Sequence, residues 1–411
     1  MIASYHRDDV FVAGGQPTVT YVEREELHIE RQLARAIAAP SQIVSLSGPT
    51  KSGKTVLCKR ILGERQYVWV DGGQILDGDS FWKKVCDELS IPDSIDSGRQ
   101  SEDADKVGLN IAILSVGGSR LDRTSTVAHK VSGINDAIRE MISRKIILVI
   151  DDFHYINADV RVEIARNIKG AVFNGLKVVL LSVTHRIFDA IKAEPELTGR
   201  FLSVALPPWS VADLTEIARR GFSALKVRYD SEFIEYISSE AQENPFLMQK
   251  FCWEICYDLG VETVGPLCRL TELHNSYDTN DLFIRIAKDA GLPIYQQLVA
   301  GPQSRKKREK RPLKTGGQAD IYEATLMAIA QTGPIAAIKY ETLRSAIAEI
   351  LADKIPQKHE ITSALKHLVK ISLEAGLGSA IDWDEEKREV NIADPYLRFY
   401  LRWQVRKDLT K

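Results

Sequence analysis

Cysteine is scarce in this chain. Among 411 residues there are five, at Cys58, Cys86, Cys252, Cys256 and Cys268, an odd set without paired short spacings. That excludes a disulfide-stapled secreted fold and points to a reducing compartment. Cys252 and Cys256 stand one helical turn apart in an apolar stretch, with only Cys268 near enough to join them. A structural zinc centre needs four ligands, so these thiols read as buried helix residues. An excess of one charge is also lacking. With 54 Lys and Arg against 56 Asp and Glu the net charge is −2, so any attraction to nucleic acid must be local. No apolar run approaches the ~20 residues that cross a bilayer, which excludes a membrane-spanning helix. The first residues, Met1-Ile2-Ala3-Ser4-Tyr5-His6-Arg7-Asp8-Asp9, have no apolar core behind a basic start, so no signal peptide is expected. Low-complexity tracts are missing too. The reading is a folded cytoplasmic protein of two or three domains with no membrane partner.

What is present is a phosphate loop. Gly48-Pro49-Thr50-Lys51-Ser52-Gly53-Lys54-Thr55 fits G-x-x-x-x-G-K-S/T at every fixed position. Gln42–Ser47 before it reads as a buried strand, and Val56–Leu62 after it as the first turns of a helix. In that context successive backbone N–H groups meet the positive end of a helix and hold an anion. The nucleotide-binding set is Gly48, Pro49, Thr50, Lys51, Ser52, Gly53, Lys54, Thr55 and Val56. Lys54 is expected to reach the β- and γ-phosphates as a catalytic residue, and the Thr55 hydroxyl to sit on Mg²⁺.

The second chemical signal is Lys145-Ile146-Ile147-Leu148-Val149-Ile150-Asp151-Asp152, an unbroken apolar run ending in two carboxylates. A strand buried on both faces of a parallel sheet reads this way. Asp151 is the candidate Mg²⁺ ligand and Asp152 the candidate for orienting the attacking water. Leu176–Thr184 is another buried strand, ending at Thr184-His185-Arg186, where a hydroxyl and a guanidinium can touch the γ-phosphate. Phe201–Leu206 is the last strand. Alternating strands and helices over 41–206 argue an α/β fold with a doubly wound parallel sheet, whose ligands bind at the carboxyl ends of the strands. Further expected elements are helices at Glu23–Ile37, Phe81–Leu89, Ile134–Ile142 and Ala158–Lys169, a strand at Tyr67–Val70 and a weak one at Asn110–Val116. Arg200, between a helix and the last strand, is read either as an arginine finger offered to a neighbouring subunit or as an exposed loop residue. No Asn-Lys-x-Asp segment follows the core strands, so ATP is preferred over GTP as cofactor, with Mg²⁺.

Beyond the core the pattern changes. From Ser210 to Cys268 it is helical only, broken at Asn244-Pro245. Residues 300–320 hold the basic run Arg305-Lys306-Lys307-Arg308-Glu309-Lys310-Arg311 among Gly and Pro, which reads as a linker and as an electrostatic footprint for double-stranded DNA. From Ile321 three helices precede two short strands around a charged turn, and an aromatic helix follows. The expected domains are a core with an N-terminal extension (1–206), a helical lid (207–299), a basic linker (300–320) and a winged-helix-like unit (321–411).

With those segments in view, residues 20–270 resemble the ATPase module of the AAA+/STAND superfamily, nearest the origin-recognition type and the archaeal and bacterial ATPases with a C-terminal winged helix. Gly48–Thr55 and Ile146–Asp152 are similar to its Walker A and Walker B segments. Tyr21–Leu27 resembles the family's aromatic-Val-Gly-Arg-Glu segment, with Glu23 in place of Gly, which implies that Val22 and Arg24 line the adenine. Thr184-His185-Arg186 resembles a Thr-Thr-Arg sensor. Leu206–Ser210 resembles the start of the lid. Glu243-Asn244-Pro245 resembles its Gly-x-Pro segment, with Glu243 in place of Gly, which implies that Pro245 approaches the base. Ile392–Tyr400 resembles the Asp-Pro-aromatic end of the winged-helix ATPases. The resemblance implies an ATP-hydrolysing switch, slow or partner-stimulated, that couples nucleotide state to DNA binding or to self-association. In a DNA-binding winged helix, Lys358, Thr362, Lys366 and Lys370 would face phosphates or bases. The alternative output is a protein partner, because the turn Asp384–Arg388 carries acids.

Overall fold

The structure is a computed structural model that describes residues 4–91, 133–183, 200–265, 267–274, 276–303, 308–333, 335–374 and 380–409. The strand expected at Asn110–Val116 lies outside them, as do Thr184, His185 and Arg186. The chain divides into two compact units, one of Glu25–Gly48 with Lys54–Leu206, the other of Met1–Arg24, Pro49–Gly53 and Pro207–Lys411.

The first unit is built on five parallel strands: β1 (Ile43–Ser47), β2 (Tyr67–Asp71), β3 (Ile147–Asp151), β4 (Lys177–Ser182) and β5 (Phe201–Ala205). They are ordered β2-β3-β4-β1-β5. The sequence explains their double burial. Ile43, Leu148, Ile150, Val178 and Leu180 enter one core, while Val44, Leu46, Ile147, Val149, Val179 and Leu181 enter the other. Strand residues alternate sides, so a continuous apolar run fills a core on each face. Helix α1 (Ile29–Ala38) is shorter than the expected Glu23–Ile37, because His28 adopts a left-handed conformation just before it. Helices α2 (Lys54–Leu62), α3 (Gly78–Glu88) and α4 (Ala158–Phe173) pack on the sheet, and the helix expected at Ile134–Ile142 is present over residues 133–143, with Ala137 and Met141 in one of the cores. α3 begins three residues before the apolar pattern does, because Asp77 and Ser80 form a reciprocal capping box.

The second unit contains helices α5 (Val211–Ala224), α6 (Ser231–Glu240) and α7 (Pro245–Asp258). It is not helical only: Val227–Arg228 pairs in parallel with Thr271–Glu272. Farther on come α8 (Ile321–Gln331), β6 (Ala337–Lys339), α9 (Tyr340–Ile350), α10 (Lys358–Glu374), β7 (Ile381–Asp384), β8 (Glu389–Ile392) and α11 (Pro395–Tyr400). Helix, strand, two helices and a hairpin is the order of a winged helix, with β6 as a third strand in the antiparallel order β6-β8-β7. The sequence reading missed β6, whose three residues lie close behind Gly333.

The N-terminal extension, expected with the core, instead joins this second unit. Phe11 lies edge-on to Phe222 at 5.4 Å, and Gln249 accepts from the Val12 N–H at 3.1 Å. The expected linker is also structured in part. Arg311–Pro312 pairs antiparallel with Gln318–Ala319, and Arg311 is buried against Glu360 at 2.7 Å. Among the described residues no helix is long and apolar enough to cross a membrane.

Candidate nucleotide site

Three carboxyl-end features of the sheet come together in the first unit. β1 ends at Ser47, and the Gly48 N–H is anchored on the Ser182 carbonyl at the end of β4, at 3.2 Å. At the start of α2, the buried Lys54 ammonium donates to the Gly48 carbonyl at 3.1 Å. The Thr55 hydroxyl donates to Asp151 Oδ2 at 2.9 Å. Asp151 Oδ1 accepts from the Asp152 N–H, also at 2.9 Å. Asp152 takes a left-handed conformation, φ 49°, which turns the chain at the strand end. The backbone here is crowded: a Cβ on Gly72, just after β2, would lie 2.6 Å from the Asp152 carbonyl. Glycine is needed there for close approach.

The electrostatics follow from burial. Removal from water pushes Lys54 down to about 8, and Asp151 and Asp152 oppose that shift. Burial raises Asp151, against the Thr55 hydrogen bond. Burial first, then the neighbouring Asp151, pushes Asp152 up to about 6. A buried cation beside two half-buried, raised carboxylates concentrates titratable charge at the carboxyl ends of the strands. The hydroxyls of Ser47 and Ser182 at the same strand ends are buried without partners. Those donors would suit a polyphosphate, and Thr55 with Asp151 would suit a divalent cation.

The loop tip, Pro49–Gly53, belongs to the second unit and is held there from three directions. Trp209 donates its indole N–H to the Ser52 carbonyl at 3.0 Å. Asn244 donates to the Thr50 carbonyl at 3.1 Å, while its Oδ1 caps α7 by accepting from Phe246 and Leu247. Lys51 pairs with Asp394 at 2.7 Å. Sequence reading missed Trp209, Asn244 and Asp394 as partners of the loop. The available signal was Asn-Pro and Asp-Pro, each an N-cap with proline at the first helical position.

The remaining expected residues are placed as follows. Val22 is in the core of the second unit. Arg24 donates to the Pro207 and Pro208 carbonyls, both at 2.9 Å, and lies over the Trp209 ring at 5.1 Å. It pairs with Asp213 at 3.3 Å, so it fixes the start of α5. Pro245 is the first residue of α7, and Val56 lies in α2. Glu243, where the resembled segment has glycine, has φ 59°, and Gln242 has φ 53°. The backbone keeps the turn that glycine makes easily. Arg200 lies over the Phe173 ring at 5.2 Å. Arg305, Lys306 and Lys307 lie outside the described residues. Arg308 is paired with Asp320 at 2.8 Å, Lys366 with Glu385 at 2.9 Å, and Lys310 and Lys358 are exposed. Among the described residues no cluster of three His, Cys, Asp or Glu is placed to hold a metal unaided.

Sheet order, glycine loop and paired carboxylates define the class: this is the fold of a P-loop nucleotide-binding ATPase, with a helical region and a winged-helix arrangement after it. Among solved structures the chain is similar to a Walker-type ATPase of Pyrococcus abyssi, at 15% identity and TM-score 0.57, over 93% of this chain and 99% of that one. It also matches the ORC2 protein of Aeropyrum pernix at 14% identity and TM-score 0.48, over 99% and 98% of the two chains. The first of these carries the fold assignment. No protein-family model matches, and no curated protein matches.

Proposed function

We propose that the chain is an ATP- and Mg²⁺-binding switch that hydrolyses ATP slowly and uses the nucleotide state to control its C-terminal region. The observation that carries this is the buried Lys54 ammonium beside Asp151 and Asp152, with the Thr55 hydroxyl on Asp151. In this reading the P-loop N–H groups and Lys54 bind the phosphates. Thr55 and Asp151 would hold Mg²⁺, which would supply charge neutralisation for the transferred phosphoryl group. Asp152 orients water, and Arg186 and Arg200 remain candidates for sensing or stabilising the γ-phosphate. The Pyrococcus abyssi protein, described as a Walker-type ATPase, supports the activity by analogy of fold. Titration calorimetry with Mg·ATP tests it: binding that is lost in Lys54→Ala supports the reading, and no binding by the parent protein removes it.

For the output, double-stranded DNA is the first reading, through the exposed Lys358 and Lys310 together with Arg305, Lys306 and Lys307, and not through the buried Arg311 or the paired Arg308, with self-association as a companion effect. Initiator-like loading, transposition targeting and antiphage defence are all compatible with it. The Lys366–Glu385 pair favours a second reading, in which a STAND-type signalling ATPase presents its C-terminal domain to a protein. DNA binding across a salt series, with and without ATP, separates them: steep salt dependence supports DNA, and no binding at low salt excludes it.

A further inference from the structure

The loop tip carries a second lysine, Lys51, whose side chain the phosphate chemistry just described does not use. Lys51 occupies a left-handed position, φ 57°, which a non-glycine side chain adopts at a cost of about 1 kcal/mol or more. Its ammonium is spoken for. It pairs with Asp394 Oδ2 at 2.7 Å and lies 4.8 Å from the Tyr396 ring centre and 5.7 Å from that of Phe246. The two rings meet edge to face at 5.3 Å. Asp394 is nearly inaccessible, at 8%, whereas Lys51 retains 30% of its side-chain exposure. The other oxygen of Asp394 caps α11 by accepting from the Leu397 N–H at 2.9 Å. One turn along α11, Arg398 donates to the Gln242 carbonyl at 2.7 Å, in the turn that precedes Asn244. A single helix start is thus tied to the loop tip and to the turn that grips it.

We propose that Lys51 is exchanged between two anions, the Asp394 carboxylate in the nucleotide-free protein and a phosphate oxygen of bound ATP, so that ATP releases the start of α11 from the P-loop. This rests on the ATP-binding reading above and deepens it by naming the contact through which nucleotide reaches the C-terminal region. Each anion excludes the other. Asp394 neutralises a loop cation, which weakens ATP. A triphosphate carries more charge than a carboxylate and takes the lysine when bound. The coupling is reciprocal: whatever pulls α11 away from the loop strengthens ATP binding by the same factor. The lysine aliphatic chain can leave the two rings with little repacking because its end is already at the solvent edge.

The test uses the full chain and the variants Asp394→Asn, Lys51→Met and the pair together. Asparagine keeps the α11 cap while removing the charge. Asp394→Asn is expected to bind Mg·ATP about five- to tenfold more tightly than the parent, and to give no gain when Lys51 is already Met. Amide hydrogen exchange in 395–405 supplies a readout that binding alone does not move. In the parent ATP raises exchange there; in Asp394→Asn exchange is already raised and ATP adds nothing. Unchanged or weaker ATP binding in Asp394→Asn, or a gain that persists in the double variant, overturns the exchange. No ATP binding by the parent overturns the ATP reading and this proposal together, whereas normal binding with no effect at Asp394 overturns this proposal alone.

Discussion

Burial of Lys54 and partial burial of Asp151 and Asp152 make the site costly to keep without its ligand. Asp152 titrates near 6 in the fold against 3.8 for the free side chain, so the folded state holds its proton longer. Its contribution to stability is fully present below about 4 and is lost as pH rises through about 6. The unfolding free energy of the metal-free protein is therefore expected to fall with rising pH in that window, and Asp152→Asn to flatten the fall; urea titrations at several pH values check this. Lys54 has the opposite consequence. Its folded value near 8 lies below 10.5, so the cost of burying the charge is felt below 8 and disappears as pH rises to 10.5. Lys54→Met is expected to stabilise the nucleotide-free protein at pH 7 by roughly 1–3 kcal/mol while removing ATP binding. A less stable Lys54→Met protein at pH 7 would contradict the electrostatic account.

Elements divide between those whose physics is local and those whose physics is not. β3 was readable because five consecutive apolar residues before a carboxylate suit a strand buried on both faces, and the glycine loop was readable because its spacing is fixed by the phosphate. Leu148, fully buried in β3, is expected to cost about 2–5 kcal/mol on replacement by Ala, while the exposed Leu76→Ala changes denaturation little. The starts of α1 and α3 were misjudged because capping and left-handed residues, rather than apolar spacing, set them. The hold on the loop tip was not readable at all, since Lys51 and Asp394 are 343 residues apart. Asn244 separates its two jobs by substitution. Asn244→Asp retains the acceptor that caps α7 and loses the donor to Thr50, so it is expected to keep global stability but to increase amide exchange in 49–53. Asn244→Ala loses both and is expected to cost about 1 kcal/mol as well.

At the scale of the whole molecule, the sheet unit is inserted within the other one, and the chain passes between them at 24/25, 48/49, 53/54 and 206/207. The N-terminal segment is part of the unit that the last two hundred residues build. At Gly221 a Cβ would come within 2.2 Å of the Phe11 ring, so Gly221→Ala is expected to dislodge that segment at a cost of about 1–3 kcal/mol. Faster proteolysis near residue 12, with strand packing in the sheet unit unaffected, is the expected sign. The Val12–Gln249 hydrogen bond spans 237 residues, which has a consequence for synthesis. At roughly 5–20 residues per second, a ribosome takes about 12–50 s to make the partner of a segment already outside the exit tunnel. Much of the sheet unit can form in that interval, and the first residues must wait in an extended, chaperone-accessible condition until their seat is made.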